Sequence, residues 1–252
     1  MRVAVVGASG RIGREVTDVL RSHGHEVVVI SRSAGVDVHT GAGLADALAG
    51  VDVVVDAINA ATTETEGVTA FFRIVARNIQ RASAAAGVQR IALVSIIGID
   101  RFTAGHYAGK LAQEHAYREG PVPVRILRAA QFHEFTEMML DWTTRGDTAY
   151  VPKYRTQLVA ARTVAEQLAH LAVAENAPES VEIAGPEELY LAAATAEVAA
   201  RRGEPGRVEE IVDRDDPNHA LQADGALLPG PGAILAGPTF QQWLTQKYPA
   251  LP

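Results

Sequence analysis

Residues 3–13 read VAVVGASGRIG and place a short apolar run directly before three spaced glycines. Gly7, Gly10 and Gly13 have a G-x-x-G-x-x-G spacing, and a helical pattern over residues 11–22 follows. The first glycine permits a tight turn, the second lets backbone amides approach a pyrophosphate, and the third allows close helix packing. The N-terminus of the helix favours the anion. The segment predicts a strand-to-helix loop that binds a dinucleotide, with a ligand-free glycine turn as the alternative.

The loop opens a repeating pattern of strands and helices. Apolar runs predict strands over residues 3–6, 26–30, 51–55, 90–95 and 124–127. Helical patterns lie between them over residues 11–22, 43–48, 65–86 and 107–118. The strands are rich in Val, Ile and Leu without polar alternation, which is typical of strands buried on both faces. The pattern predicts an α/β fold of Rossmann type, with a doubly wound parallel sheet.

The alternation becomes irregular after about residue 130. Helical patterns cover residues 131–144, 163–174 and 191–202, and strand patterns lie near residues 149–151 and 180–183. We therefore expect a single NAD(P)-binding domain over residues 1–252. In this prediction about residues 1–130 form the dinucleotide-binding core, and about residues 131–252 combine further core with a small C-terminal substrate cap.

Composition and charge argue against several classes of function. The net charge is −7 and no block of Lys or Arg is present, so we expect no nucleic-acid binding. The chain has no cysteine and its eight histidines lack metal-ligand spacing, so we expect no metal site. No apolar run reaches the roughly 18 residues that span a bilayer. The N-terminus enters the first strand at once, so we expect a cytoplasmic protein without a membrane segment.

The end of the second predicted strand indicates which dinucleotide is bound. NAD sites usually place an acidic residue there, whereas an arginine accommodates a 2′-phosphate. This chain has Ser31 and Arg32 at that point, and the glycine loop supplies a second cation, Arg11. Two guanidinium groups that converge on a phosphate form a charge-assisted site. The pattern predicts NADP(H), and the alternative is that Arg32 is simply solvated at a strand end.

Six further residues complete the predicted cofactor site. They are Ser9 and Ile12 of the loop, Asp37 and Val38 near the adenine, and Ala57 and Asn59 after the third strand near the ribose.

Several segments resemble the atypical short-chain dehydrogenase/reductases, and the NmrA-like group in particular. They are residues 6–13, 50–55, 94–98, 110–114 and 126–135. The NAD(P)H-binding quinone reductases and the isoflavone-reductase relatives are similar too. The resemblance covers most of the chain up to about residue 190. It implies the fold and dinucleotide binding, and leaves the reaction open, because the group includes reductases and redox-sensing regulators without turnover.

The resemblance also implies a catalytic pair. Family reductases use a Tyr four residues before a Lys, where the Lys holds the nicotinamide ribose and the Tyr delivers a proton. Lys110 is present, but His106 stands four residues before it and Tyr107 three residues before it. Both positions share a helix face with Lys110, so either side chain is a candidate proton donor. A solvated Lys110 and a surface His106 are the alternatives.

The segment after the fifth predicted strand is a candidate for the substrate side, because ligands of open α/β sheets sit at the carboxyl ends of strands. The predicted lining residues are Phe132, His133, Met138, Trp142 and Tyr154. For each of them, ordinary core packing is the alternative.

Two functions remain from the sequence. The first is an NADPH-dependent reductase of an apolar carbonyl, enone or quinone compound. The second is a non-catalytic NADP(H)-sensing regulator that acts through a protein partner. The sequence leaves open whether the chain also forms a homodimer.

Overall fold

The computed structural model describes residues 1–62 and 64–249. Its first half contains β1 (Arg2–Val6), α1 (Arg11–Ser22), β2 (Glu26–Ile30), α2 (Leu44–Ala47), β3 (Val53–Asp56), α3 (Thr65–Ala86), β4 (Arg90–Ile96), α4 (Gly105–Arg118) and β5 (Val124–Ala129). Its second half contains α5 (Phe135–Thr143), β6 (Thr144–Arg145), β7 (Thr148–Pro152), β8 (Arg155–Thr156), α6 (Ala161–Val173), β9 (Ser180–Ala184), β10 (Leu189–Tyr190), α7 (Leu191–Arg202), β11 (Arg207–Ile211), α8 (His219–Ala223), β12 (Ile234–Leu235) and α9 (Phe240–Lys247).

Seven strands form a parallel sheet in the order β12-β9-β5-β4-β3-β1-β2. Strand β1 pairs in parallel with β2 on one side and with β3 on the other. The order of the strands therefore reverses between β1 and β3, and ligands of open α/β sheets bind at such a switch point. The valines of β3 are fully buried, as expected for a strand covered on both faces. The predicted Rossmann-type α/β fold is confirmed.

One compact unit of the chain, which we call unit 1, carries the dinucleotide-binding motif. It contains Met1–Ser95, Thr103–Arg128 and Arg162–Val181. The apolar core of this unit lies between its strands and the buried faces of its helices, with Val75 and Ile79 of α3 fully buried in it. Helix α3 begins where the Glu64 carboxylate accepts hydrogen bonds from the amides of Glu66 and Gly67, and it ends at Gly87, whose φ is +73°.

A second compact unit, unit 2, contains Ile96–Phe102, Ala129–Ala161 and the chain from Glu182 onward. It has its own apolar core, in which Leu191, Val198 and Leu244 are buried. A three-stranded sheet in the order β11-β7-β6 belongs to this unit. Residues 96–102 thus belong to unit 2 and residues 162–181 to unit 1. The predicted single domain with a dinucleotide-binding core up to about residue 130 stays a prediction.

Several element boundaries differ from the predicted ones. Helix α4 starts at Gly105 instead of residue 107, which places His106 and Tyr107 in its first turn. Helix α5 starts only at Phe135, because the preceding segment forms a bridge between Phe132 and Val159. Within the part of the chain that the structure describes, no helix combines the length and apolarity needed to cross a membrane.

Candidate functional site

The backbone of the glycine loop after β1 is tightly packed around Gly7 and Gly13. Gly7 has a φ of +74°, and a Cβ there would lie 2.8 Å from the carbonyl oxygen of Ala57. The carbonyl oxygen of Gly7 accepts a hydrogen bond from the amide of Gly10 at 2.9 Å. A Cβ on Gly13 would come within 2.1 Å of that same oxygen. The backbone atoms of the loop cannot move far enough to make room for a Cβ, so only glycine fits at positions 7 and 13.

The first turn of α1 has the features of an anion site. Its N-cap residue is Gly10, which supplies no side-chain cap, and the first turn holds no acidic residue. The first amides of a helix lack partners within the helix, and the helix dipole favours negative charge beside them. This arrangement fits a pyrophosphate. Ser9 and Arg11 are exposed, whereas the Ile12 side chain is buried and leaves only its backbone amide for a ligand.

The turn after β2 carries the predicted phosphate-binding arginine. Residues Arg32–Ala34 form a short 3₁₀ turn that ends at Gly35, and Arg32 is exposed. The hydroxyl groups of Ser31 and Ser33 are hydrogen-bonded to each other at 2.9 Å. Among residues 1–62 and 64–249, neither Arg32 nor Arg11 has an ion-pair partner. Both guanidinium groups are therefore free to meet an incoming phosphate.

The other predicted cofactor residues differ in how accessible they are. Asp37 is half-buried, and its Oδ1 accepts a hydrogen bond from the amide of His39 at 2.9 Å. Val38 is buried in the core of unit 1. Ala57 is half-buried beside Gly7, and Asn59 is exposed. Of Asp37, Val38, Ala57 and Asn59, Asp37 and Asn59 present polar side chains outside the core.

Lys110 is held inside unit 1 and does not extend into solvent. Its side chain is only 4% exposed, and its ammonium nitrogen lies 5.0 Å from the ring centre of Phe72. Nζ donates to the carbonyl oxygen of Val94 at 2.8 Å and to Oε1 of Gln113 at 2.6 Å. Burial lowers the pKa of Lys110 to about 8, against the opposing charges of Asp56 and Glu114.

His106 lies in the first turn of α4 with a half-buried ring. The ring meets the edge of Phe72 at 5.7 Å between centroids, and that of Tyr107 at 6.5 Å. Burial, aided by the charge of Lys110, lowers the pKa of His106 to about 4. An unperturbed imidazole titrates near pH 6.5. His106 is therefore neutral at pH 7 and carries no imidazolium proton to transfer.

A buried carboxylate that sequence analysis did not single out lies beside these residues. Asp56, the last residue of β3, is fully buried. Its Oδ2 accepts hydrogen bonds from Nε2 of Gln113 at 2.8 Å and from the hydroxyl of Tyr117 at 2.6 Å. Burial raises the pKa of the Asp56 carboxyl, while the charge of Lys110 opposes this shift. The only signal in the sequence was a carboxylate directly after a run of valines.

The residues predicted for the substrate side lie in unit 2, in different surroundings. His133 is fully buried, with ring centroids 5.5 Å from Phe240 and 5.4 Å from Trp243, and burial lowers its pKa to about 4. Trp142 is 64% exposed and lies edge-on to Phe135. Phe132, Met138 and Tyr154 are half-buried. The structure thus places His133 in the core and leaves the other four partly accessible.

Solved structures share this fold over nearly the whole chain. MoeE5 in complex with UDP-glucose and NAD superposes with a TM-score of 0.76 at 17% identity, covering 97% of this chain and 96% of that one. The NADPH-dependent quinone oxidoreductase QOR2 of Escherichia coli, complexed with NADPH, gives 0.75 at 17% identity, covering 98% and 99%. A nucleoside-diphosphate-sugar epimerase of Pseudomonas aeruginosa gives 0.72 at 18% identity, covering 97% and 95%. Identities this low show the fold alone.

Comparison of sequences defines the family. No curated protein matches this sequence. The profile of a family described as NAD(P)H-binding matches residues 7–174, which begin at the first glycine of the loop and include Lys110. Together with the loop geometry and the β1–β3 switch point, this match shows that the chain belongs to the NAD(P)H-binding family.

Proposed function

We propose that the chain is a cytoplasmic NADPH-dependent reductase of the NmrA-like group, with an apolar quinone as its preferred class of substrate. The observation that carries the proposal is the fixed ammonium group of Lys110 at the carboxyl end of β4. Two of its three N–H bonds are taken by Val94 and Gln113. The third is left to donate to a hydroxyl of the nicotinamide ribose. The NADPH-dependent quinone oxidoreductase of E. coli with the same fold supports the choice of substrate class.

NADPH is the expected cofactor because of the charges around the glycine loop. The pyrophosphate binds the free amides of the first turn of α1, and Arg32 and Arg11 bind the 2′-phosphate. Bound NADPH supplies a hydride to the substrate. Lys110 holds the ribose, and so sets the face of the nicotinamide that meets the acceptor.

The state of His106 favours a quinone over a ketone. Hydride addition to a ketone develops an alkoxide, which needs a proton from a positioned acid. Hydride addition to a quinone gives a hydroquinone anion, a phenolate whose conjugate acid has a pKa of about 10, like that of tyrosine. Water can protonate such an anion without an enzyme acid.

On the substrate side, the roles predicted from the sequence for Phe132, Met138, Trp142 and Tyr154 stay predictions; within unit 2 all four are at least partly accessible. His133 was predicted with them, and its ring is buried against Phe240 and Trp243 in unit 2.

The test is NADPH oxidation with a matched panel of quinones and ketones of similar size. We expect turnover with quinones and at least tenfold lower kcat/KM with ketones. Lys110→Met should lower kcat/KM for every substrate. Equal or faster reduction of ketones would contradict the argument from His106.

The second candidate is a regulator that senses NADP(H). The observation that favours it is the absence of a tyrosine four residues before Lys110, together with the neutral His106 in that place. Tight NADPH binding without oxidation by any acceptor of the panel, combined with a binding partner that distinguishes NADPH from NADP⁺, would establish this function instead.

A further inference from the structure

A chain of buried polar groups connects the end of β3 with the ammonium of Lys110. Asp56 accepts a hydrogen bond from the amide nitrogen of Gln113, and the amide oxygen of Gln113 accepts one from Lys110. Asp56 and Gln113 are fully buried. No other side chain is hydrogen-bonded to Nζ among the described residues.

We propose that Gln113, oriented by Asp56, is a positioning residue that fixes Lys110 for the cofactor ribose. The proposal rests on the ribose-binding role of Lys110 proposed above.

The orientation of the Gln113 amide follows from the carboxylate. Asp56 accepts hydrogen bonds from the backbone amide of Ile58, from Gln113 and from the hydroxyl of Tyr117, so the amide of Gln113 turns its nitrogen to Asp56 and its oxygen to Lys110. The reversed amide would place its oxygen against the carboxylate and its nitrogen against the ammonium. Both contacts would be repulsive in a buried site. Asp56 therefore determines where Lys110 finds its acceptor.

Tyr117 provides a matched control within the same network. Its hydroxyl donates to the same Oδ2 of Asp56, at 2.6 Å compared with 2.8 Å for Gln113. Tyr117 and Gln113 are both fully buried on α4. Removing either partner takes one hydrogen bond from Asp56, but only Gln113 contacts Lys110.

Charged and titratable groups surround Lys110 on several elements. Asp56 faces it from β3, Glu114 and His106 face it from α4, and α3 contributes the aromatic ring of Phe72. Without the acceptor of Gln113, the ammonium loses a charge-assisted hydrogen bond, while Asp56 and Glu114 stay in place beside it. We expect the titration midpoint of Lys110 to fall by about one pH unit, a value set by the usual strength of such a bond.

The sequence allows this midpoint to be measured directly. Lys110, Lys153 and Lys247 are the only lysines, and the last two are exposed. Lysine labelled with ¹³C at Cε therefore gives three NMR signals, two of which serve as internal references. The titration is followed without cofactor in the parent, Gln113→Met and Tyr117→Phe. NADPH dissociation constants are then measured by calorimetry at pH 7.

We expect Gln113→Met to lower the Lys110 midpoint by about one unit and to weaken NADPH binding about tenfold. Tyr117→Phe should change the midpoint by less than about 0.3 units and the affinity less than about twofold, although both variants lose stability. Equal effects of the two variants, or an unmoved midpoint in Gln113→Met, would overturn the proposal.

Two further outcomes keep the test decisive. If Gln113→Met does not fold, Gln113→Leu takes its place, because it also lacks the acceptor and leaves the charge of Asp56 beside Lys110, and a parent-like midpoint in that variant would overturn the proposal. If the midpoint falls in Gln113→Met while NADPH affinity stays at the parent value, Gln113 does position Lys110. In that case the proposed ribose contact of Lys110 is what fails.

Discussion

Replacing His106 with Phe tests the environment of the first turn of α4. A lowered pKa means that the folded state binds a proton less readily than the unfolded state, where the imidazole titrates near pH 6.5. The contribution of this group to stability is therefore complete above pH 6.5 and is lost as the pH falls towards 4. With a folded pKa of about 4, the parent loses about 2 kcal/mol through His106 between pH 7 and pH 5.

The assay is urea unfolding of the parent and His106→Phe at pH 7 and pH 5. Phe cannot bind a proton, and its ring keeps an aromatic contact with Phe72. Between pH 7 and pH 5 the variant should therefore lose about 2 kcal/mol less unfolding free energy than the parent. His133→Phe is the matched control, because the pKa of His133 is also about 4 and His133 lies in unit 2. It should show a similar change in acid stability and unchanged NADPH affinity.

The same variant answers the question of the proton donor. At pH 7 only about one His106 in a thousand is protonated, so turnover of a quinone by His106→Phe should stay within about threefold of the parent. Losing a working general acid typically costs about 10²-fold or more. The reasoning is refuted if the parent rate follows an ionisation near pH 6.5 that disappears in His106→Phe.

Three further predictions concern cofactor binding. Arg32→Ala should reduce the preference for NADPH over NADH about tenfold in calorimetric titrations; the effect is modest because the arginine is exposed. Tighter binding of NADH than of NADPH by the parent would contradict the predicted role of Arg32. Gly13→Ala should abolish NADPH binding, because its Cβ would lie 2.1 Å from the Gly7 carbonyl oxygen. Gly10→Ala should retain much of the binding, because the closest approach of its Cβ is 3.2 Å. Equal NADPH affinities of the two variants would refute this difference. NADPH affinity should be constant between about pH 7 and pH 8, where the 2′-phosphate is fully ionised, and should fall above pH 8 as Lys110 loses its charge. A flat profile up to pH 9.5 would argue against a ribose contact by this ammonium.

Local signals in the sequence predicted the regular elements well. The bounds of α1, α3 and α7 agree with prediction, since amphipathic patterns end at residues such as Gly87 and Gly203 that adopt positive φ. The charged strand Arg207–Ile211 was not predicted, because it pairs with β7 in a small sheet and has no buried apolar run.

The residues of the candidate site likewise fall into those that a local sequence pattern predicts and those that it does not. The glycine loop is local, so its residues could be predicted from spacing alone. The network around Lys110 joins residues 57 and 61 positions apart in the chain. Such contacts depend on which helix packs over which strand, and no pattern within a single segment encodes them. For the same reason the burial of His106 and its lowered pKa were not predicted.

The tightness of the glycine loop has a consequence for redesign. The proposed pyrophosphate site uses backbone atoms that have no spare room, and few substitutions there can be tolerated. The proposed site for the 2′-phosphate uses an exposed turn, Arg32–Ala34, which contributes no buried residue to the core. The two tasks are thus handled by separable parts of one site. Engineering that exchanges the preferred dinucleotide can be confined to this turn, where a new acidic side chain displaces no packing and leaves helix α4 unchanged.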